Sequence, residues 1–126
     1  MNLESYDADI CIMTRIINVI GGKWKPIILY LIEKDINRFG MLKKMMPKIS
    51  KKVLTEQLRE LEEDKIISRE VIIATAPQII VYSLTEKGIS LRILINEMIK
   101  WGLKNLEMVD EQEVNEHISM FMHKHG

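Results

Sequence analysis

The segment from Arg38 to Lys52 concentrates the side chains that are able to neutralise phosphate. It carries six basic residues and no acidic one: Arg38, Lys43, Lys44, Lys48, Lys51 and Lys52. The chain as a whole has 18 basic and 18 acidic residues, so its net charge is zero and the cations are segregated along the sequence. Lysine and arginine neutralise phosphate oxygens and also match the acceptor atoms of guanine. The segment therefore predicts a contact with double-stranded DNA.

The elements around this segment would place its cations on one surface. The apolar spacing predicts a short helix over about 39–46, which Pro47 must end, and a second helix that opens at Ser50 and runs to about Glu63. Ser50 is a good N-cap, and Leu54, Leu58 and Leu61 form one buried stripe behind it. This order is typical of a helix-turn-helix, whose second helix enters the major groove.

The predicted DNA contacts follow from that arrangement. On the second helix Ser50 caps the first turn, and the outward face carries Lys51, Lys52, Thr55, Glu56 and Arg59. Of these, Lys51, Lys52, Thr55 and Arg59 could reach base edges or phosphates. Arg38, Lys43, Lys44 and Lys48 lie before this helix and suit phosphates, which need only charge within reach. The plainer interpretation is a solvated face with ordinary surface charges.

The remaining pattern predicts an α+β protein that is mostly helical. Helices are predicted over about 9–20, 24–33 and 86–108, a shorter tail helix over 110–126, and two strands over 68–74 and 79–84 that form a wing. The first helix is apolar on two sides, and the helix after Thr85 carries more apolar surface than a small domain can cover. This surplus favours a homodimer.

Length and composition limit the class of protein. A chain of 126 residues that is 47% apolar predicts a single domain over 1–126. No apolar run is long enough to span a membrane and the first ten residues do not resemble a secretory signal, so we expect a cytoplasmic, nucleoid-associated protein without a membrane partner. The single cysteine, Cys11, cannot form a disulfide within one chain, which favours a reducing compartment.

Other reactive side chains point to no catalytic or metal site. His117, His123 and His125 gather near the C-terminus without cysteines or carboxylates at metal-ligand spacing. No nucleophile motif, phosphate-binding glycine loop or suitably spaced pair of acids is present, so we expect neither an enzyme nor a cofactor. Cys11 in an apolar helix is commonly an inert thiol, with a redox sensor as the sharper alternative.

Seven pieces of sequence, in order, resemble the HxlR-type transcriptional regulators of bacteria and archaea. They are Cys11, Gly21-Gly22-Lys23-Trp24, Arg38-Phe39, Ile49-Ser50, the run LTEQLRELEED from Leu54 to Asp64, the strand from Pro77 with YSLTEKG from Tyr82 to Gly88, and Trp101-Gly102. Each piece alone is weak, but their common order and spacing over about ninety residues make chance a poor explanation.

The resemblance implies a winged helix-turn-helix dimer. Its first and last helices would form the subunit interface, the helix after Ser50 would read DNA, and the hairpin would lie on the DNA backbone. Some relatives use an early cysteine to sense oxidants or electrophiles, which implies that role for Cys11. The chain departs from the family pattern at Lys65, where glycine is usual, at Ile12, where proline is frequent, and in a wing without Lys or Arg from Glu70 to Glu86.

These observations predict a sequence-specific DNA-binding regulator. We expect a repressor that binds a two-fold related operator as a homodimer. Whether it responds to oxidants or electrophiles through Cys11, as the resemblance implies, is left open by the sequence. One alternative is a regulator triggered by a small-molecule effector bound between the last helix and the reading domain, with Cys11 merely structural. The other is a winged-helix module that binds protein rather than DNA, because a fold does not fix a function.

Overall fold

The computed structural model describes residues 3–107, and side chains from residue 7 onward. Five helices and one hairpin follow each other along the chain. They are α1 (Leu3–Ile20), α2 (Lys25–Glu33), α3 (Phe39–Met45), α4 (Lys51–Glu63), β1 (Ile67–Ile73), β2 (Ile79–Leu84) and α5 (Glu86–Asn105). This is the predicted order of a winged helix-turn-helix. The predicted tail helix over 110–126 lies outside the described residues.

The core lies between α2, α3, α4 and the base of the hairpin. Its fully buried side chains come from every one of these elements: Ile28, Leu31, Leu42, Met46, Ile49, Leu54, Leu61, Ile66 and Ile67. On α4 the buried residues are Leu54, Leu58 and Leu61, the i, i+4, i+7 stripe that the sequence predicts. The outward face of α4 is consequently held in a fixed direction by its packed inner face.

The turn between α3 and α4 is set by its end residues. Met46 ends α3 with a non-helical backbone, and Ile49 is 2% exposed, so the turn is anchored in the core. Ser50 has extended backbone angles, and its Oγ accepts a hydrogen bond from the Val53 amide at 3.1 Å. The predicted N-cap of the reading helix is thus present.

The two strands pair as an antiparallel hairpin whose base is tied to the core. Ile67 pairs with Leu84, and an irregularity between Val71 and Ile73 shifts the register near the tip. The Tyr82 amide donates a hydrogen bond to the Asn37 carbonyl at 2.9 Å, which joins β2 to the connection between α2 and α3. The hairpin is therefore fixed at its base, while residues 71–78 are exposed.

Helix α5 begins at a compact junction with the end of α4. Thr85 caps α5 by accepting a bond from the Gly88 amide at 3.1 Å, and its own amide donates to the Ile66 carbonyl at 3.0 Å. Gly88 is buried against that carbonyl so closely that a Cβ would collide with the Ile66 oxygen. Lys65, which precedes Ile66, has a positive φ of 58°. The glycine usual at this position in the family would adopt that backbone without strain.

The boundaries of several elements differ from the prediction by a few residues. Helix α1 starts at Leu3 rather than near residue 9, because residues 3–8 (LESYDA) hold only scattered apolar side chains and not the dense apolar spacing of residues 10–20. Helix α5 ends at Asn105, a few residues before the predicted 108. Trp24, predicted as the first helical residue of α2, is its N-cap, with Pro26 in the first turn.

Both α1 and α5 leave large apolar side chains exposed. On α1 these are Ile10, Ile12, Met13 and Ile17, and on α5 they are Ile89, Ile93, Leu94, Met98, Ile99, Trp101 and Leu103. Only Ile20 of α1 and only Gly88 and Ile95 of α5 are buried among the described side chains. The apolar surplus predicted from the sequence is therefore present on the surface of a single protomer.

Candidate nucleic-acid interface

The outward face of α4 presents the side chains predicted to meet DNA. Lys51, Lys52, Thr55 and Arg59 are all exposed, opposite the buried leucine stripe. Residues 51, 55 and 59 recur every four positions, so they lie along one line of the helix surface. The Thr55 hydroxyl donates a hydrogen bond to the Lys51 carbonyl at 2.8 Å, which leaves its oxygen free to accept another.

The cations that precede α4 lie on α3 and on the turn that leads into α4. Arg38 is the exposed N-cap residue of α3, Lys44 is exposed in its last turn, and Lys48 is exposed in the turn itself. Lys43 is half-buried, and its Nζ donates to the Pro47 carbonyl at 3.4 Å, a long contact that leaves most of its charge available. No acidic residue interrupts this surface between positions 38 and 52. An anion approaching the start of α4 meets cations on three consecutive pieces of chain.

A concave surface joins the middle of α4 to the hairpin. A cavity of about 370 Å³ is lined there by Thr55, Leu58, Arg59, Glu62, Arg69 and Tyr82. Arg69 is exposed on β1 and pairs in register with Tyr82. It is the one cation between positions 66 and 86. Two guanidinium groups from different elements therefore line the same groove.

Sequence reasoning did not single out Arg69 as a site residue. Its position in the first predicted strand was visible, but the register that sets it beside α4 depends on how the hairpin folds back on the helix. A strand that alternates in and out offers each side chain only two faces, and the face of Arg69 is fixed by the burial of Ile67 two residues earlier. This alternation could have been used to predict, from the sequence, that Arg69 and Ile67 share a face.

Lys25 is a second residue that the sequence did not reveal. It is the only buried charged residue among the described side chains, at 6% exposure. Its Nζ lies 2.6 Å from Oε2 of Glu60, which is on α4 two turns beyond Lys52. The pair joins the start of α2 to the reading helix. A lysine at a helix N-terminus is unfavourable with respect to the helix dipole, so the nearby carboxylate offsets that cost.

Other candidate chemistry stays apart from this surface. Cys11 is exposed on α1. Within residues 3–107 no three side chains of the metal-binding types cluster together, and His117, His123 and His125 lie outside the described residues. None of the helices described is both long and apolar enough to cross a bilayer.

A helix-turn-helix formed by α3 and α4, followed by a two-stranded wing, defines the class of winged helix-turn-helix proteins. The family model described as HxlR-like helix-turn-helix matches residues 19–110. The chain belongs to this family. The match begins after Cys11.

Individual relatives agree with the family match. The chain is 41% identical over 113 residues to the uncharacterized HTH-type transcriptional regulator YdeP of Bacillus subtilis, covering 90% of this chain and 88% of that protein. It is 41% identical to the redox regulator HypR in its reduced form, with a TM-score of 0.68 over 74% of this chain and 91% of that one. The reduced form of the transcriptional regulator YodB from B. subtilis is 33% identical, with a TM-score of 0.65 over 78% of this chain and 95% of that one.

Proposed function

We propose that this chain is a DNA-binding transcriptional regulator that acts as a homodimer on a two-fold related operator. Repression is the proposed outcome. The observation that carries the proposal is the exposed face of α4 that bears Lys51, Lys52, Thr55 and Arg59, held in place by the Ser50 cap and the buried leucine stripe, in a chain whose relatives are named transcriptional regulators. Those names also agree with a protein that does no catalysis.

The proposed contacts divide by chemistry. Lys51, Lys52, Thr55 and Arg59 lie on the helix that would enter the major groove, where lysine and arginine match guanine and threonine matches several bases. Arg38, Lys43, Lys44 and Lys48 would hold phosphates on either side of the groove. Arg69 joins the phosphate set, since the wing offers no other cation.

A homodimer is proposed because a single protomer leaves too much apolar surface on α1 and α5. The face of α1 formed by Ile10, Met13 and Ile17 is more than half exposed at each position. Trp101 and Leu103 of α5 are 62% and 74% exposed. Apolar patches of this extent are typical of interaction sites, and a two-fold dimer would present two reading helices to successive major grooves.

The direct test reverses the charge of the reading helix. The variant with Lys51→Glu and Lys52→Glu is titrated against the DNA upstream of the gene that encodes the protein and against unrelated DNA of equal length. We expect loss of operator binding by at least a hundredfold, with the dimer intact by light scattering. A matched variant, Lys34→Glu with Lys104→Glu, makes the same change of charge at exposed positions away from the face and should bind normally.

The same experiment separates the rival function. A winged-helix module that binds protein would show no preference for any upstream fragment in the unmodified state, and the two charge-reversed variants would then be indistinguishable on DNA. That pair of results would refute the DNA-binding proposal. Footprinting of a two-fold repeat by the unmodified protein would refute the rival.

We propose Cys11 as an oxidant-responsive group of this regulator. Its thiol is exposed, and HypR and YodB are named in reduced as well as oxidised or diamide-treated forms. Because each chain has one cysteine, a disulfide must join two protomers or one protomer and an external thiol, with two electrons and two protons passing to the oxidant. Diamide should change operator affinity of the unmodified protein and leave Cys11→Ser unaffected. An equal response of both proteins would contradict this role.

We place the protein in the cytoplasm, associated with the nucleoid, as the compartment that holds its proposed DNA partner. Fluorescence of a tagged chain over the nucleoid tests this placement, and the variant with Lys51→Glu and Lys52→Glu should lose the pattern.

We also propose that residues 1–126 form one domain, which a single cooperative unfolding transition would support.

A further inference from the structure

A second cavity lies between α1 and α5, on the side of the molecule that carries neither α3 nor the wing tip. Its volume is about 440 Å³, within the range of small-molecule sites. Ten residues line it: Ile12, Arg15, Ile16, Val19, Ile20, Ile66, Lys87, Ser90, Leu91 and Leu94. Ile12 and Leu94 are 51% and 43% exposed, so the cavity is open along one side.

The lining has the character of an amphipathic binding site. Seven of the ten residues are aliphatic, and the polar ones are Arg15, Lys87 and Ser90. Two of these three carry a positive charge, and no carboxylate belongs to the described lining. An apolar ligand with one anionic end would bury its body against the aliphatic walls and meet a cation at its head. A planar carboxylate suits this lining because a guanidinium donates to it in a bidentate manner.

The cavity uses a different face of α1 from the one proposed for dimerisation. Ile12, Ile16, Val19 and Ile20 recur at helical spacing and point toward α5 of the same protomer. Ile10, Met13 and Ile17 form the neighbouring exposed face. The two apolar sides of α1 therefore have separate roles, one toward its own α5 and one toward a second protomer.

Two residues of the cavity also touch the end of the reading helix. Lys87 Nζ donates to the carbonyl of Asp64, the C-cap of α4, at 2.9 Å. The Ile66 amide donates to the Leu61 carbonyl of α4 at 2.9 Å, and the Ile66 carbonyl accepts from the Thr85 amide at 3.0 Å. The Lys87 ammonium has three donors, so it can bind a carboxylate in the cavity while it also contacts Asp64. Lys87 therefore connects the cavity to the end of α4.

We propose that this cavity binds a small apolar carboxylate, such as an aryl-alkanoate or a medium-chain fatty acid, and that binding changes the affinity of the regulator for its operator. The effect on operator affinity rests on the proposed DNA-binding function, whereas the binding of the carboxylate by the cavity does not. The head of the ligand pairs with Arg15 and Lys87, and its body packs against Ile16, Ile20 and Leu91. Linkage requires that the operator changes ligand affinity by the same factor.

The experiment titrates the full-length dimer with 3-phenylpropionate and octanoate, and with the corresponding neutral amides, by calorimetry. We expect saturable binding of one carboxylate per protomer at millimolar concentration or below, at least tenfold tighter than its amide. Arg15→Gln should remove the preference for the carboxylate, whereas Lys104→Gln, an equal loss of charge at an exposed position of α5, should retain it. Ile16→Phe, which fills the cavity, should weaken carboxylate and amide together.

The alternative occupants of the cavity are outcomes of the same study. Absence of saturable binding, or equal affinity for carboxylate and amide, overturns the proposal. Hydrogen exchange at residues 87–94 then identifies what occupies the cavity instead of a ligand. If protection of these amides is lost on dilution to monomer, a second protomer occupies it. If protection is lost when residues 108–126 are deleted, that segment occupies it.

Operator affinity is measured in the same samples with and without the carboxylate. We expect a change of at least fivefold in the unmodified protein and none in Arg15→Gln. Intact operator binding without any ligand binding refutes the cavity proposal alone. Absence of operator binding in every sample refutes the DNA-binding function instead, while calorimetry still decides whether the carboxylate binds.

Discussion

Gly88 is a residue at which the fold leaves no room for a side chain. It sits in the first turn of α5, buried against the Ile66 carbonyl, at the point where the end of α4, the start of β1 and the start of α5 meet. A Cβ at this position would collide with a backbone oxygen, which cannot move aside as a flexible side chain can. The glycine is required for close approach rather than for an unusual φ.

We expect Gly88→Ala to lower the free energy of unfolding by about 2 kcal/mol or more, as overpacking of a rigid site does. Urea denaturation measures the loss. Gly40→Ala is the matched control, because no heavy atom outside its own local backbone lies within 4 Å of a Cβ there, and alanine favours the helix. Equal stability of Gly88→Ala and the unmodified protein would show that the junction can open without cost.

Lys65 has a strained backbone conformation. Its φ of 58° is in the left-handed region, where a side chain costs about 1 kcal/mol relative to glycine. The sequence already indicates this position, since glycine is usual there in the family. We expect Lys65→Gly to stabilise the protein by roughly 0.5–1 kcal/mol in urea denaturation. Lys34→Gly, at a φ of −89°, has no such strain to relieve and should not stabilise it. Stabilisation of both variants alike would contradict the conformational explanation.

At the level of elements, the sequence predicted the helices and strands better than their contacts. The leucine stripe of α4 and the Ser50 cap follow from local spacing, so both were visible before the structure. The contact of Lys25 with Glu60 was not, because it joins residues 35 positions apart whose relative placement depends on how α2 crosses α4. Arg69 was missed for the same kind of reason, since its groove is made by two elements that meet only in the folded chain.

The Lys25 to Glu60 pair should behave asymmetrically. The Lys25 side chain is 8% exposed and the Glu60 side chain 52%, so removing the carboxylate leaves a buried charge, while removing the lysine leaves a carboxylate that water can reach. We expect Glu60→Met to destabilise the protein by about 1–2 kcal/mol and Lys25→Met by less than about 1 kcal/mol.

The double variant tests whether the two residues act together. Lys25→Met with Glu60→Met should be more stable than Glu60→Met alone, because no buried charge remains. Glu56→Met, an exposed acid one turn earlier on α4, controls for the loss of a carboxylate from that helix. Additive effects in the double variant would mean that the two side chains do not depend on each other, despite the 2.6 Å separation.

For the whole molecule, the most useful feature of the sequence was the excess of apolar residues on α1 and α5, which one protomer cannot bury. The spacing on α1 and α5 predicted two apolar sides, and the structure leaves them exposed on one protomer. Which side meets which neighbour could not be read from the sequence, because periodicity identifies a face but not its partner. The cavity between α1 and α5 separates the two faces of α1 and leaves Ile10, Met13 and Ile17 as the exposed face that we propose for the contact with a second protomer.

We expect Ile17→Glu to dissociate the proposed dimer. Ile17 is 54% exposed, so a charge there costs little in the isolated protomer, but it would be buried without a partner in an interface. Sedimentation should show a monomer, and circular dichroism should show that the helical content is largely retained. Operator affinity should fall by at least tenfold, because a monomer presents one reading helix to the operator instead of two. Asn18→Glu introduces the same charge at the adjacent exposed position and should remain dimeric. A dimer that survives Ile17→Glu would assign the interface to another surface.

Salt dependence decides whether the segregated cations act on phosphate in the assembled dimer. A neutral protein has no general attraction to DNA, so every phosphate contact must come from local groups such as Lys44, which is exposed in the last turn of α3. Each contact adds about 0.9 to the slope of log affinity against log salt concentration. Lys44→Gln removes one contact from each protomer, and the slope should therefore become shallower by about 1.8 per dimer, equally on operator and unrelated DNA. Thr55→Val, which alters a hydroxyl that carries no charge, should reduce the preference for operator without changing the slope. An unchanged slope in Lys44→Gln would remove this lysine from the proposed phosphate contacts.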